Sequence, residues 1–179
     1  MTAPAITVCG AGRVVDPAVA ALAREVGAAI VRSGCTLVCG GMDGVMHAAC
    51  MGAVEARTLA GGHGGLIVGI TPTACKADAN PYCDVVIPTG LGVARNSLVV
   101  LAGDAVILVG GGAGTLSEAA FAWQLGRPIV ALVPSGGWAA SLAGQSIDDR
   151  RADWIVAAQS PAEAVARALE LVHAAAAHL

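Results

Sequence analysis

Three stretches of the chain place glycine where a strand should stop. Gly10-Ala11-Gly12-Arg13 follows the apolar run Ala5 to Cys9, Gly40-Gly41 follows Cys35 to Cys39, and Gly110-Gly111-Gly112-Ala113-Gly114-Thr115 follows Ala105 to Val109. Glycine lets the backbone approach a phosphate closely, and the start of the next helix supplies free N–H groups and a positive dipole end. A single loop of this kind is equally a tight turn. Three of them at strand ends that share one edge of an open sheet favour an anion site. Gly10, Gly12, Arg13, Gly40, Gly41 and Asp43 are the candidate ligand-binding residues of the first two loops. Gly111, Gly112, Ala113, Gly114 and Thr115 are those of the third, with Asn96 as a further candidate. Lys76 is the only lysine, so a bound phosphate would rest on amides, hydroxyls and arginine.

Thr115 and Glu118 allow two readings. The hydroxyl can donate to a phosphate with Glu118 one turn further along the same helix edge; or Thr115-x-x-Glu118 is a capping box that satisfies backbone N–H groups. Arg95 and Asn96 are likewise either site residues or an ordinary surface charge and helix cap. The first loop is not a dinucleotide fingerprint: Val15 stands where the third glycine would be, and glycines rather than an acid end the second strand, which argues against ordinary NAD binding. His47, His63, His173 and His178 are scattered, with no carboxylate at ligand spacing, and no metal site is expected.

The elements that must carry these residues follow from periodicity and punctuation. Ala5 to Cys9 reads as a buried strand. Asp16 caps a helix with Pro17 at its first position, and Val19, Leu22, Val26 and Ile30 repeat at helical spacing up to Gly34. A strand over 35–39, a helix over 44–57 and a strand within 64–70 complete a strand-helix-strand-helix-strand half of a doubly wound sheet. Beyond the loop 71–80, a short strand is expected at 83–87 and a helix at 93–102. A very apolar strand at 105–109 precedes a helix stopped by Gly126, and another strand lies at 128–133. Residues 135–151 read as a surface excursion, 154–157 as an edge strand, and Ser160-Pro161-Ala162-Glu163 as the capping box of a last helix, fraying from Ala174. The expectation is one Rossmann-like nucleotide-binding domain over 1–179, α/β in three layers, with a mostly parallel sheet and helices on both faces.

Here the sequence resembles a family. GGMDGVMHAACMGA (40–53), TGLGVARNSLVV (89–100) and GGGAGTLSE (110–118) look like the Rossmann-fold proteins often mislabelled "lysine decarboxylase". That group includes the Lonely guy phosphoribohydrolases and the molybdenum-cofactor carrier proteins. The resemblance spans roughly Ile6 to Leu132 in order and spacing. It implies that Arg95 and Glu118 are the catalytic pair of a nucleoside 5′-monophosphate phosphoribohydrolase, which releases base and ribose 5-phosphate. It also implies a homo-oligomer with sites near a subunit interface. Two departures stand out: Gly110 replaces the family's proline before the paired glycines, and Asn96 replaces the lysine that follows the hydrolases' arginine. The stretch 80–96 is closer to the short carrier-like branch. The alternative to hydrolysis is therefore a non-catalytic carrier or sensor of a phosphorylated pterin such as the molybdenum cofactor. No cofactor is required on either reading, an AMP-like nucleotide or the molybdenum cofactor being the possible bound group. Lysine decarboxylation is set aside on chemistry, because it would need a pyridoxal-phosphate Schiff base and Lys76 sits in a loop with no cofactor signature.

Composition bounds the rest. Of 179 residues 56% are apolar and only 13% charged, which demands extensive burial, as in a parallel sheet covered on both faces. The net charge of −3 without a basic cluster makes nucleic acid an unexpected partner. No stretch reads as a signal peptide or membrane span, so the expected location is cytoplasmic, away from membranes. Six cysteines without a Cys-x-x-Cys pair read as reduced, buried small hydrophobes. Low surface charge and the helix Ala119-Ala120-Phe121-Ala122-Trp123 point to a homodimer or higher assembly packed through that helix.

Overall fold

The computed structural model describes residues 3–13 and 16–176. Val15, at the missing third-glycine position, and His178 lie outside the described residues. The strands are β1 (Ala5–Gly10), β2 (Thr36–Cys39), β3 (Ile67–Thr71), β4 (Val85–Pro88), β5 (Ala105–Val109), β6 (Ile129–Leu132) and β7 (Val156–Ala158). They form one seven-stranded sheet in the order β4-β3-β2-β1-β5-β6-β7, and every neighbouring pair is parallel. The helices are α1 (Pro17–Arg32), α2 (Val45–Leu59), α3 (Asn96–Leu101), α4 (Ala113–Gln124), α5 (Gly137–Leu142) and α6 (Pro161–Ala176). The fold is the expected α/β, Rossmann-like one.

Strand composition dictates the layers. Along β5 every residue is buried: Ala105, Ile107 and Val109 face α1, α2 and α6, while Val106 and Leu108 face α3, α4 and α5. Side chains alternate across a strand, so a strand apolar at every position needs cover on both sides. The α1 and α2 helices approach through glycine. A Cβ on Gly27 would lie 1.9 Å from the carbonyl oxygen of Ala49, and one on Gly52 would lie 2.0 Å from that of Arg24. Small residues thus replace aromatic bulk in bringing the helices together.

Element ends follow the sequence signals. Asp16 accepts from the amide of Ala18 at 2.8 Å, with Pro17 opening α1. Ser160 accepts from the amide of Glu163 at 3.2 Å, and the Glu163 carboxylate takes the amide of Gln159 at 2.8 Å. Three expectations are corrected. The helix expected at 93–102 is split: a tight 3₁₀ turn over Gly92–Arg95 leads into α3, so Arg95 sits at a joint rather than within a helix. The excursion after 135 is partly structured, since α5 buries Ala139. Ala119, Ala122 and Trp123 do not offer a face to a second copy, because they pack into the chain's own core. The indole N–H of Trp123 donates to Asp148 at 2.7 Å and the Arg151 guanidinium lies 4.6 Å from its ring centroid, so the loop after α5 closes over α4.

Replacing Gly27 by alanine sets a methyl against the backbone of α2, which cannot rotate aside. G27A and G52A are each expected to lower unfolding stability by about 2 kcal/mol or more, on the scale of overpacked cores. Urea melts of the two variants check this. Unchanged midpoints would show that the helices can move apart.

Candidate functional site

The strand order reverses between β1 and β5, since the chain runs outward from β1 through β2, β3 and β4 and then returns to β5 on the other side. In open α/β sheets the crevice at such a switch point is where ligands bind. A cleft of about 220 Å³ lies there, lined by Gly10, Ala11, Gly12, Arg13, Gly112, Gly114 and Thr115. The loops fit because side chains are absent. A Cβ on Gly10 would meet Val45 at 2.4 Å and the carbonyl of Val109 at 2.7 Å. Gly44, with φ +69°, tucks against the carbonyls of Ala11 and Arg13, and the amide of Val45 donates to Ala11 at 2.9 Å. Larger hollows flank α1 and α2, but beside their apolar walls stands the exposed Arg24–Glu55 ion pair.

The third loop supplies the polar wall. Gly112 is the N-cap of α4 and makes no side-chain cap, so the amides of Ala113, Gly114 and Thr115 lie in the first turn, with no helical carbonyl behind them. Thr115 is the third residue of the helix rather than its cap. Its hydroxyl is buried and has no hydrogen-bond partner. Gly111, at φ +100°, passes so close that a Cβ would lie 2.3 Å from that oxygen. The capping-box reading of Thr115 and Glu118 therefore fails. Glu118 faces away from the helix end, towards Arg95.

Beneath the loops lies a buried polar cluster. Arg95 and Glu118 are 7% and 5% exposed, with Nη1 to Oε1 at 3.5 Å. Arg95 Nη1 also donates to Asn96 Oδ1 at 3.0 Å, and Nη2 reaches the carbonyl of Gly40 at 3.4 Å. Asn96 in turn donates to Ser117 Oγ at 2.9 Å. A side chain at Gly40 would lie 2.5 Å from the guanidinium. Nε of Arg95 is buried and unpaired. Burial raises the Glu118 carboxyl to about 7, against the pull of the Arg95 charge, with the Cys9 thiol hydrogen-bonded to it. That thiol is itself pushed up, first by burial and then by the carboxylate. A carboxyl poised near neutrality beside an arginine can hold or pass a proton, or stabilise positive charge.

The structure thus divides the sequence candidates. Gly10, Gly12, Arg13, Gly112, Gly114 and Thr115 share the cleft, while half-buried Gly111 and exposed Ala113 are their chain neighbours outside its lining. Arg95, Asn96, Glu118 and Gly40 share the cluster behind it, and Gly41 packs against β3 with φ +67°. Asp43 is exposed on the loop before α2, outside the cleft lining. His47 is half-buried with its ring edge against Tyr82, centroids 5.1 Å apart. Cys9 was missed as a neighbour of Glu118. Its apolar strand context carries no signal that its alternate face meets α4. Cys75 is exposed, contrary to the expectation of buried cysteines.

This fold and cleft define a Rossmann-like protein with glycine-rich loops lining a cleft at its switch point. The chain belongs to the SLOG cluster4 family, whose model matches residues 3–165. A cytokinin riboside 5′-monophosphate phosphoribohydrolase of Mycobacterium tuberculosis is 38% identical over 123 residues, covering 64% of this chain and 63% of that protein. The structure of a molybdenum cofactor binding protein from Rippkaea orientalis superposes with TM-score 0.77 at 33% identity, over 98% of this chain and 99% of that one. A molybdenum cofactor carrier protein of Chlamydomonas reinhardtii does so with TM-score 0.76 at 32% identity, over 97% and 99%. No described helix is long and apolar enough to cross a membrane.

The raised Glu118 carboxyl sets a pH dependence. With a folded pKa of about 7 above an unfolded value of 4.5, the native state holds the extra proton between them. The contribution of Glu118 to stability is therefore fully present below about 4.5, falls as pH rises through that window, and is lost above about 7. The difference in unfolding free energy between wild type and Glu118→Gln is expected to change by roughly 3 kcal/mol across it. Denaturant melts of both proteins from pH 4.5 to 8 measure this. Parallel pH profiles would show that Glu118 titrates normally.

Proposed function

We propose that the protein binds a phosphorylated, ring-bearing small molecule, with the phosphate on the first-turn amides of α4, and works as a carrier. The observation that supports this most directly is the buried, unpartnered hydroxyl of Thr115 beside those amides. A buried hydroxyl without a partner is unfavourable by about 1–3 kcal/mol, and a phosphate oxygen would satisfy it. The terminal phosphate of a pterin cofactor and that of a nucleoside monophosphate both fit this description. Because the cleft is only about 220 Å³, it takes the phosphate and the adjoining ring, leaving the remainder of the ligand outside. A second copy of the chain is the proposed cover. Leu98 and Leu101 of α3, the helix that begins with Asn96, and Leu125 after α4 are exposed apolar residues such a copy could cover.

The carrier reading rests on the end-to-end likeness to molybdenum cofactor binding and carrier proteins, and on Asn96, which ties the Arg95 fork to α4 through Ser117. Hydrolysis of a nucleoside 5′-monophosphate is the second reading, supported by the buried Glu118 carboxyl beside Arg95. On that reading Thr115 and the amides hold the phosphate. The Glu118 carboxylate stabilises positive charge on the ribose ring as the glycosidic bond breaks, and positions the attacking water.

AMP with an assay for free adenine separates the two, with calorimetry reporting binding. The carrier reading expects binding without adenine release. In Thr115→Val affinity for AMP should fall about tenfold, the loss of one hydrogen bond to a charged group. If adenine is released, the hydrolase reading holds, and Glu118→Gln should slow release by about a hundredfold or more while leaving affinity level or raised. Absence of binding by AMP and by inorganic phosphate alike would overturn both.

A further inference from the structure

A second polar cluster lies on the opposite face of the sheet from Glu118. Cys39 ends β2 on the side packed by α2, Cys50 comes from α2 itself, and Cys83 comes from the segment leading into β4. Their three sulfurs all lie within 4.8 Å of one another, and Cys39 and Cys50 are 3.5 Å apart. The first two thiols are buried, and Cys83 is half-buried, which gives the cluster its opening. Two glycines make the room. A Cβ on Gly69 of β3 would lie 2.7 Å from the Cys83 sulfur, and Gly41, at φ +67°, turns its amide onto the Cys39 sulfur at 3.3 Å.

The surroundings stabilise sulfur anions. Besides the Gly41 amide, the side-chain N–H of Asn80 points at the Cys50 sulfur at 3.7 Å. Asn80 is held in place at both ends, since Nδ2 donates to the carbonyl of Met42 at 3.2 Å and Oδ1 accepts the amide of Tyr82 at 3.1 Å. Hydrogen bonds from Cys39 and Cys50 keep the Cys83 thiol below the usual thiol range, while Cys50 is pushed up by Cys39 and Cys83. The three thus share protons, and one sulfur carries charge most readily. Among the described residues no histidine, carboxylate or further cysteine joins the group.

We propose that Cys39, Cys50 and Cys83 form a three-sulfur site for a soft monovalent d10 cation, Cu(I), with the Gly41 amide and Asn80 as outer hydrogen-bond donors. Metal–sulfur bonds of about 2.3 Å place sulfurs that share an ion about 4 Å apart, which the cluster reaches with small side-chain rotations. Thiolates select Cu(I) and Zn(II), but a structural zinc site takes four protein ligands. The fourth position has only the Asn80 amide, whose oxygen is engaged by Tyr82. Binding displaces a proton from each thiol that ligates and releases it to water, with no change of oxidation state.

The test is anaerobic titration of the reduced full chain with Cu(I) against a chromophoric Cu(I) chelator. One ion per chain is expected, with near-ultraviolet sulfur-to-metal charge-transfer absorption and proton release. Cys83→Ser, the least buried change, should weaken binding at least a hundredfold while leaving the circular dichroism spectrum unchanged, and Cys50→Ala should do the same. Cys75→Ser and Cys35→Ser should bind like wild type. Retention of tight Cu(I) binding in Cys83→Ser, or its loss in Cys75→Ser, would overturn the site. Displacement of Cu(I) by an equal concentration of Zn(II) would overturn the choice of ion.

Discussion

A buried arginine, Arg95, governs the architecture around the candidate site. Burying an arginine is tolerable only when charge and hydrogen-bond capacity are answered nearby. The Arg95 fork is answered from three separate elements: the Gly40 carbonyl after β2, Asn96 at the start of α3, and Glu118 from α4. Each answer carries a sequence requirement. Gly40 must lack a side chain, α3 must begin immediately after a 3₁₀ turn so that Arg95 points inward, and α4 must start early enough to bring Glu118 round on its second turn. The same constraints bring the glycine loops of β1 and β5 together over the cluster.

The pair is not a neutral ornament of the core. The positive charge of Arg95 favours the Glu118 carboxylate, while burial favours the protonated acid, and the balance falls close to neutrality. A group in that position responds to the charge of whatever enters the cleft. An anion bound at Thr115, as proposed, would add negative potential and favour the protonated acid, leaving more of the Arg95 charge to act on the ligand. On the proposed function, ligand charge would couple the cleft to the buried proton of the cluster behind it, although the two share no lining residue.

Much of the fold was legible in the residues. Continuous apolar runs at 5–9, 35–39 and 105–109 announced buried parallel strands, and Asp16-Pro17 and Ser160-Pro161-Ala162-Glu163 announced helix starts at the right places. The loops that converge at the switch point were legible for the same reason, since glycines at successive strand ends have one shared edge to occupy. What failed did so where tertiary contact decides. The spacing of Thr115 to Glu118 left a cap open beside a ligand-binding role, and only the structure removes the cap, since Gly112 starts α4 three residues earlier and turns Thr115 into the protein. Trp123 reads as interface material in a small-residue helix, yet Asp148 and Arg151 come back across the chain to enclose it. The cysteine trio has no sequence motif because its members come from a strand end, a helix and a loop that only the sheet order makes neighbours.

The central claim is that the first turn of α4 is the anion seat. A crystal structure of the protein with AMP tests it most directly. The account predicts the phosphate within hydrogen-bond distance of the Ala113, Gly114 and Thr115 amides and of the Thr115 hydroxyl, with the ribose lying towards Gly10–Arg13. A phosphate bound elsewhere, with the Thr115 hydroxyl still unpartnered, would contradict it.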